Sequence, residues 1–205
     1  MWELMPKNLM PHSPFFWVPT LYVAEGIPYI IAMTVSVVLY KRLGVSNTDI
    51  ALYTSWFYLP WVIKPLWSPL VDMFRTKRYW ILAMQLLIGL ALFCVALAIP
   101  AAGFFRFTLL FFWIMAFSSA THDIAADGFY MLGLRQDQQA ALVGVRTIFY
   151  RMATIAAKGG FVILAGYLEM RGLPVASAWS LTFFAVAAIF LALFLYHLRA
   201  LPLPV

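Results

Sequence analysis

The sequence predicts an all-α integral membrane protein of six transmembrane helices, arranged as two inverted three-helix repeats. Three observations predict this. Of the 205 residues, 64% are hydrophobic and 11% charged, against about 25% charged in a typical soluble domain. No soluble fold of this length hides so much apolar surface, so the bilayer must act as solvent. The apolar residues also gather into six stretches long enough, or nearly so, to cross a bilayer. Finally, the charges inside those stretches follow an order. The first carries Glu25, the second Lys64 and the third none; the fourth carries Asp123 and Asp127, the fifth Arg146, Arg151 and Lys158, and the sixth none. Acid, base, none is thus written twice.

Residues 1–14 are polar and proline-containing and read as a short tail. The first helix is predicted over about 15–40, with Gly26 and Pro28 interrupting it beside Glu25; such breaks are tolerated at depth only where backbone faces protein or water. This stretch exceeds a signal-peptide core and no clean cleavage site follows it, so it reads as a retained helix. In the loop 41–49, Asn47 or Thr48 is expected to cap the second helix, which runs over about 50–69. Pro60 and Pro65 should kink it. A tight basic turn with Asp72, Arg75, Lys77 and Arg78 leads to the third helix, about 80–98, which stops before Pro100. The fourth helix is placed at about 107–129, and 133–141 reads as a polar loop. The fifth, about 142–168, is rich in small residues, and the spacing of Ala156 and Gly160 should let a neighbouring helix approach closely. The sixth spans about 176–198, and 200–205 reads as the start of a linker.

Orientation follows from Lys and Arg in the loops. With the N-terminus inside, the inner side holds Lys7, Arg75, Lys77, Arg78, Arg135 and Arg199, and the outer side Lys41, Arg42, Arg106 and Arg171. The compact Arg75–Lys77–Arg78 group supports a cytoplasmic N-terminus.

A charge in hydrocarbon costs roughly 2.5 kcal/mol or more, so it faces a partner or a wet cavity. The two uncharged segments can face lipid, and the four charged ones should face each other. A repeated three-helix unit around a polar pathway is the construction of secondary transporters. Asp123 and Asp127 are four apart and share a helix face. Arg151 and Lys158 are seven apart and share another, with Arg146 rotated away. Glu25, Asp123, Arg151 and Lys158 are therefore expected to line the pathway. Arg146 should tie its helix end to Asp127 or Asp72. Lys64 either snorkels to the surface or bonds an acid across the cavity. Asp72, Arg75, Lys77, Arg78, Asp127 and Arg146 read as gating or structural charge pairs. Among embedded groups, four bases stand against three acids, which favours an anionic substrate. An acid beside a base is also a proton-coupling element, because uptake of a proton breaks the pair.

Other chemistry finds little support. The bases form no surface stripe, which argues against a nucleic-acid partner. No phosphate-binding glycine loop appears, and three scattered histidines make no metal site. Ser118 and Ser119 near His122 lie on one helix and cannot form a triad alone. The single cysteine, Cys94, reads as a buried packing residue. No cofactor is expected, and no enzymatic activity.

Two motifs resemble a known family. LYVAEGIPYIIAMTVSVVLYKRLGVSNTDIALYTSWFYLPWVIKPLWSPLVD, followed by a basic loop, is similar to the start of AmpG-like permeases of the major facilitator superfamily, to which acetyl-CoA transporters are related. FSSATHDIAADGFY resembles the family's Ser-Ala-Thr-x-Asp-x-x-x-Asp segment. The resemblance runs from about Leu21 to Gly166. It implies a proton-driven importer of cell-wall-derived muropeptides in a bacterial inner membrane, built from two six-helix halves. The matching positions are Ser68, Pro69 and Asp72, then Asp123 and Asp127. The superfamily loop pattern is only partly met: Ser68 replaces Gly, Met73 replaces Arg, and Lys77 and Arg78 come late. This chain then corresponds to the N-terminal half, whose expected partners are the bilayer, a C-terminal half, protons and an anionic small molecule. Acetyl-CoA or another anionic metabolite is the alternative substrate. A membrane-embedded signalling or assembly subunit with purely structural ion pairs is the alternative role.

Overall fold

The computed structural model describes residues 13–203, and all regular structure among them is helical. Lys7 and most of the expected tail lie outside the described residues. The first crossing is α1 (Pro14–Ile30), a π-helical turn (Ile31–Val35) and α2 (Ser36–Arg42) in unbroken succession. The expected interruption at Gly26 and Pro28 does not occur. Pro28 lacks an N–H and sits against the preceding turn, and the helix passes through five π-helical residues just beyond it, a wider turn that takes in the irregularity without ending the helix. Gly26 has a different task. A Cβ built there would meet the Tyr150 carbonyl oxygen at 2.9 Å and the Ala153 Cβ at 3.3 Å, so its missing side chain brings two backbones together.

The second stretch departs most from expectation. It is not one kinked helix but a chain of short pieces: α3 (Asn47–Thr54), a 3-10 turn (Ser55–Tyr58), α4 (Leu59–Ile63), a 3-10 turn (Lys64–Leu66) and α5 (Ser68–Met73). Pro60, Pro65 and Pro69 each fall in the first two positions of a piece. There the absent N–H breaks no hydrogen bond and the fixed φ starts a new turn. The cap is Ser46, not Asn47 or Thr48: its hydroxyl accepts the Asp49 N–H at 3.1 Å and donates to the Asp49 carboxylate at 2.7 Å.

Four long helices follow: α6 (Lys77–Ala98), α7 (Phe104–Gly133), α8 (Gln136–Met170) and α9 (Val175–Ala200). α6 starts earlier than expected because the Thr76 hydroxyl accepts the Tyr79 N–H at 3.2 Å. The polar loop expected over 133–141 shrinks to Leu134 and Arg135. Gln139, read as loop, bonds the Met131 and Leu134 carbonyls at 2.9 and 2.8 Å and so closes the end of α7 from within α8. Together with the first crossing, these four helices make five that are long and apolar enough to cross a membrane among the described residues. Cys94 is half-buried on α6, not fully buried.

α6 packs against α7 and α9, and α1 lies between α7 and α8. One apolar core, including Ile31, Leu39, Phe57, Leu92, Phe112 and Phe183, fills the end of the bundle near the α2–α3 and α6–α7 turns. A second, with Trp17, Leu21, Ile81, Ala126 and Phe129, fills the opposite end. The outward faces of α6 and α9 are apolar, with Leu86, Leu90, Phe93, Leu181 and Leu191 exposed. α8 is the least covered of the long helices. Ile148, Met152, Ile155 and Ile163 are exposed on it, and Gly159 and Gly160 have no neighbour within 4 Å. The close approach expected at Ala156 and Gly160 falls instead on buried Ala153 and Ala157.

Candidate functional site

Between the two cores lies a cavity of about 370 Å³ lined by Glu25, Tyr29, Tyr58, Trp61, Lys64, Asp123 and Tyr150. Four parts of the chain build it. α1 contributes Glu25 and Tyr29, four residues apart and so on one face. The segmented stretch contributes Tyr58 and Lys64, each at a junction between helical pieces, and Trp61 from the middle of α4. α7 contributes Asp123 and α8 contributes Tyr150. The Tyr29 and Trp61 rings meet edge to face at 5.2 Å.

Lys64 forms a hydrogen-bonded ion pair with Asp123 across the cavity. Asp123 is only 8% exposed, while Lys64 keeps part of its side chain accessible. Beside this pair, Trp67 donates from its indole nitrogen to the Thr121 hydroxyl at 3.2 Å. The short 3-10 turn that holds Lys64 is therefore fixed to α7 on both sides. Glu25 has no such partner: its Oε2 is buried and makes no hydrogen bond. The wall thus carries two carboxylates and one ammonium, with the ammonium committed to one carboxylate.

A second charged cluster lies at the end of the bundle that carries the α5–α6 and α7–α8 turns. Arg146 pairs with Asp127 at 2.9 Å, and the Tyr22 hydroxyl donates to the same carboxylate oxygen at 3.0 Å. The Arg146 guanidinium also sits over the Tyr22 ring at 4.5 Å and the Tyr130 ring at 5.1 Å. Asp72 pairs with Lys77. Arg78 donates to the Leu198 carbonyl at 2.6 Å and the Leu201 carbonyl at 3.3 Å, so it closes the end of α9. Arg75 adopts a left-handed backbone (φ 64°) and lies over the Tyr79 ring at 5.6 Å.

Arg151 and Lys158 do not join the cavity wall. Both are exposed on α8, beside its uncovered apolar residues, and neither makes an ion pair among the described residues. Sequence reasoning passed over several polar residues that the structure brings together. Arg42 pairs with Glu169, and the Trp179 indole donates to Glu169 at 3.2 Å, closing the opposite end. Gln85 and His197, on helices without charges in their apolar runs, are fully buried. The one signal the sequence offers for them is a polar residue within an apolar run. No group of His, Cys, Asp and Glu able to hold a metal occurs among the described residues.

Long apolar helices with ion pairs at both ends and an ionisable cavity between them define a multi-pass membrane protein. Within that class, residues 25–196 match the BT1 family, and the chain belongs to it. Some of its relatives carry transporter names. It is 28% identical to a Rickettsia conorii protein named transporter AmpG 4, over 83% of this chain and 41% of that one. It is 25% identical to an uncharacterised membrane protein of Saccharomyces cerevisiae, over 82% of this chain and 38% of that one. With the anhydromuropeptide permease of Escherichia coli K12 it shares 29% identity, over 66% of this chain and 28% of the permease. The AmpG-like transporter family is thereby shown, and its names are those of permeases rather than enzymes. The chain spans about two fifths, or less, of the length of these relatives. No solved structure matches.

Proposed function

We propose that this chain is the N-terminal six-helix half of a proton-coupled importer for an anionic, cell-wall-derived sugar-peptide. It acts in a bacterial inner membrane with its N-terminus in the cytoplasm. The observation that carries the proposal is the cavity: among helices of membrane length, it sets Glu25, Asp123 and Lys64 around open space. Ionisable groups so placed mark transport pathways and proton relays.

The roles follow from the partners. Asp123 and Lys64 form the coupling pair. A proton on Asp123 removes the charge that holds Lys64, and with it the tie between the segmented stretch and α7. Glu25, with a buried oxygen that makes no hydrogen bond, is the second proton acceptor. Its carboxylate and Asp123 leave the wall short of positive charge, so the bases for an anionic ligand are Arg151 and Lys158 on the open side of α8. Those bases cannot rest against lipid, and the glycines beside them leave room for another helix. A C-terminal half docked there completes the cavity, and alternating access rocks one half against the other.

The segmented stretch 47–73 is the second of the six crossings. If helical throughout, it reaches roughly 40 Å at about 1.5 Å per residue, enough for a hydrocarbon core of about 30 Å. One face of it meets the cavity and α7, while Leu52, Trp56, Val62, Leu66 and Leu70 are exposed on the other. With it, the two inverted three-helix repeats are complete. Asp72, Arg75, Lys77, Arg78, Asp127 and Arg146 form the latch on the cytoplasmic side.

The test is uptake of labelled anhydromuropeptide by proteoliposomes that hold the complete gene product, with and without an inward proton gradient. We expect uptake that requires the gradient and is lost in Asp123→Asn. Absence of uptake by demonstrably folded protein would overturn the proposal.

A further inference from the structure

A second polar cluster lies behind Asp123, toward α6 and α9. The Gln85 amide nitrogen on α6 is 3.0 Å from His122 Nε2 on α7. The Gln85 amide oxygen is 3.0 Å from His197 Nδ1 on α9. His197 Nε2 in turn is 2.9 Å from the Thr20 hydroxyl on α1. Gln85, His122 and His197 are each at most 1% exposed. His122 Nδ1 has no partner. Four membrane-length helices thus meet in one hydrogen-bonded chain, none of whose members lines the cavity.

The chemistry of an amide gives this chain a direction. One end of Gln85 only donates and the other only accepts. With the nitrogen toward His122, His122 Nε2 accepts and its own proton sits on Nδ1. The Gln85 oxygen then accepts from His197 Nδ1–H, and His197 Nε2 accepts from Thr20. Exchanging the amide ends reverses every bond. His122 Nε2–H donates to the amide oxygen, the amide donates to His197 Nδ1, and His197 Nε2–H donates to Thr20, whose hydroxyl turns to the Phe16 carbonyl 3.2 Å away. In either direction both rings are neutral and carry their proton on the same-named nitrogen.

We propose that the chain His122–Gln85–His197–Thr20 is a positioning device for Asp123, with Gln85 and His197 as its positioning residues. His122 and Asp123 are neighbours on α7, so their side chains diverge by about 100°. One is held by α6, the other by Lys64 across the cavity. A rotation of α7 that freed His122 from Gln85 would swing Asp123 away from Lys64 by the same angle. In the bilayer no water stands ready to replace a lost partner, so the chain holds that rotation against alternatives. The inference rests on the proposed transport site for its consequence but not for its test.

Two measurements test it without substrate. The first is ¹⁵N NMR of the imidazoles in His12→Asn protein made as this 205-residue chain, in which His122 and His197 are the remaining rings. We expect two neutral rings of one tautomer; opposite tautomers would overturn the chain. The second follows α7 against the segmented stretch. Cysteines replace Trp67 and Thr121 in a Cys94→Ser background and are joined by a short bifunctional thiol reagent. Gln85→Met should slow this cross-link about fivefold, the low end of coupling between two sites. Should Gln85→Met not fold, the triple variant His122→Leu, Gln85→Leu, His197→Leu leaves no orphaned polar group and serves instead. Cross-linking at the parent rate in a folded variant would overturn the proposal. A positive result without uptake would overturn only the transport reading.

Discussion

Removing the Lys64 ammonium tests whether the cavity pair is structural or functional. In Lys64→Met, Asp123 keeps its carboxylate while the one cation bonded to it is gone. Breaking a fully buried pair costs about 3–5 kcal/mol, because the surviving charge is left uncompensated; an exposed pair is worth about 0.2–1 kcal/mol. Here the side chains are 35% and 12% accessible, so water from the cavity reaches Lys64 and partly reaches Asp123. An intermediate cost of about 2 kcal/mol follows. For a chain of this size that lowers the melting temperature by roughly 4–8 °C, at about 2–4 °C per kcal/mol. The assay is thermal unfolding in detergent as a double-mutant cycle of Lys64→Met, Asp123→Leu and both together. The double variant, with neither charge present, should recover most of the loss. The exchanged pair, Lys64→Asp with Asp123→Lys, should likewise keep stability. Uptake then separates the readings: a structural pair survives the exchange, and a coupling pair does not, because the proton acceptor has moved to another element. Additive single effects, or unimpaired gradient-driven uptake by the exchanged protein, would refute the reasoning.

Three further outcomes follow. Arg146→Met removes the Asp127 pair and the contacts with Tyr22 and Tyr130, and at about 0.5–1 kcal/mol for each partly exposed contact it should lower the melting temperature by several degrees, with Arg146→Lys retaining part of the loss. Gly26→Leu forces a side chain against the Tyr150 carbonyl and should destabilise by about 1–3 kcal/mol, whereas Gly159→Ala, facing open space, should stabilise the isolated chain by up to about 1 kcal/mol through helix propensity, read as a higher melting temperature. Glu169→Gln leaves the Trp179 bond possible but discharges the partner of Arg42, so salt should alter the melting temperature of the parent more than that of the variant.

The apolar stretches and the order of their charges were legible because length and hydropathy alone decide what can cross a bilayer. The second stretch shows where that stops. Pro60 and Pro65 announce a kink, but the sequence does not say that each proline opens a new helical piece. That depends on Trp67 and Lys64 being tied to α7, more than fifty positions along the chain. The residues around Gln139 read as loop because they are polar, yet polarity at a helix start is also what caps a neighbour. Asp123 and Glu25 stood out, since a carboxylate in hydrocarbon demands a reason. Gln85 and His197 did not, because neither carries a formal charge, although an amide or imidazole in the same place also needs a partner. Arg42 and Glu169 lie 127 positions apart, and no local pattern joins them.

The polar groups share one further property: nearly every cluster touches the first crossing. Tyr22 reaches Asp127 and Arg146 at one end. Thr20 meets His197, Glu25 opens onto the cavity, and Arg42 meets Glu169 at the other end. Between Glu25 and Arg42 lies the π-helical turn 31–35. A π turn adds a residue to the local circuit, so the phase of the helix differs on its two sides. That offset matters because Tyr22 and Glu25 on one side, and Arg42 on the other, must each face a fixed partner on a different helix. In a regular helix, residues 25 and 42 would be separated by a rotation set by 3.6 residues per turn alone. The wider turn beyond Pro28 alters that rotation, and so allows one continuous helix to serve the cavity and both ends.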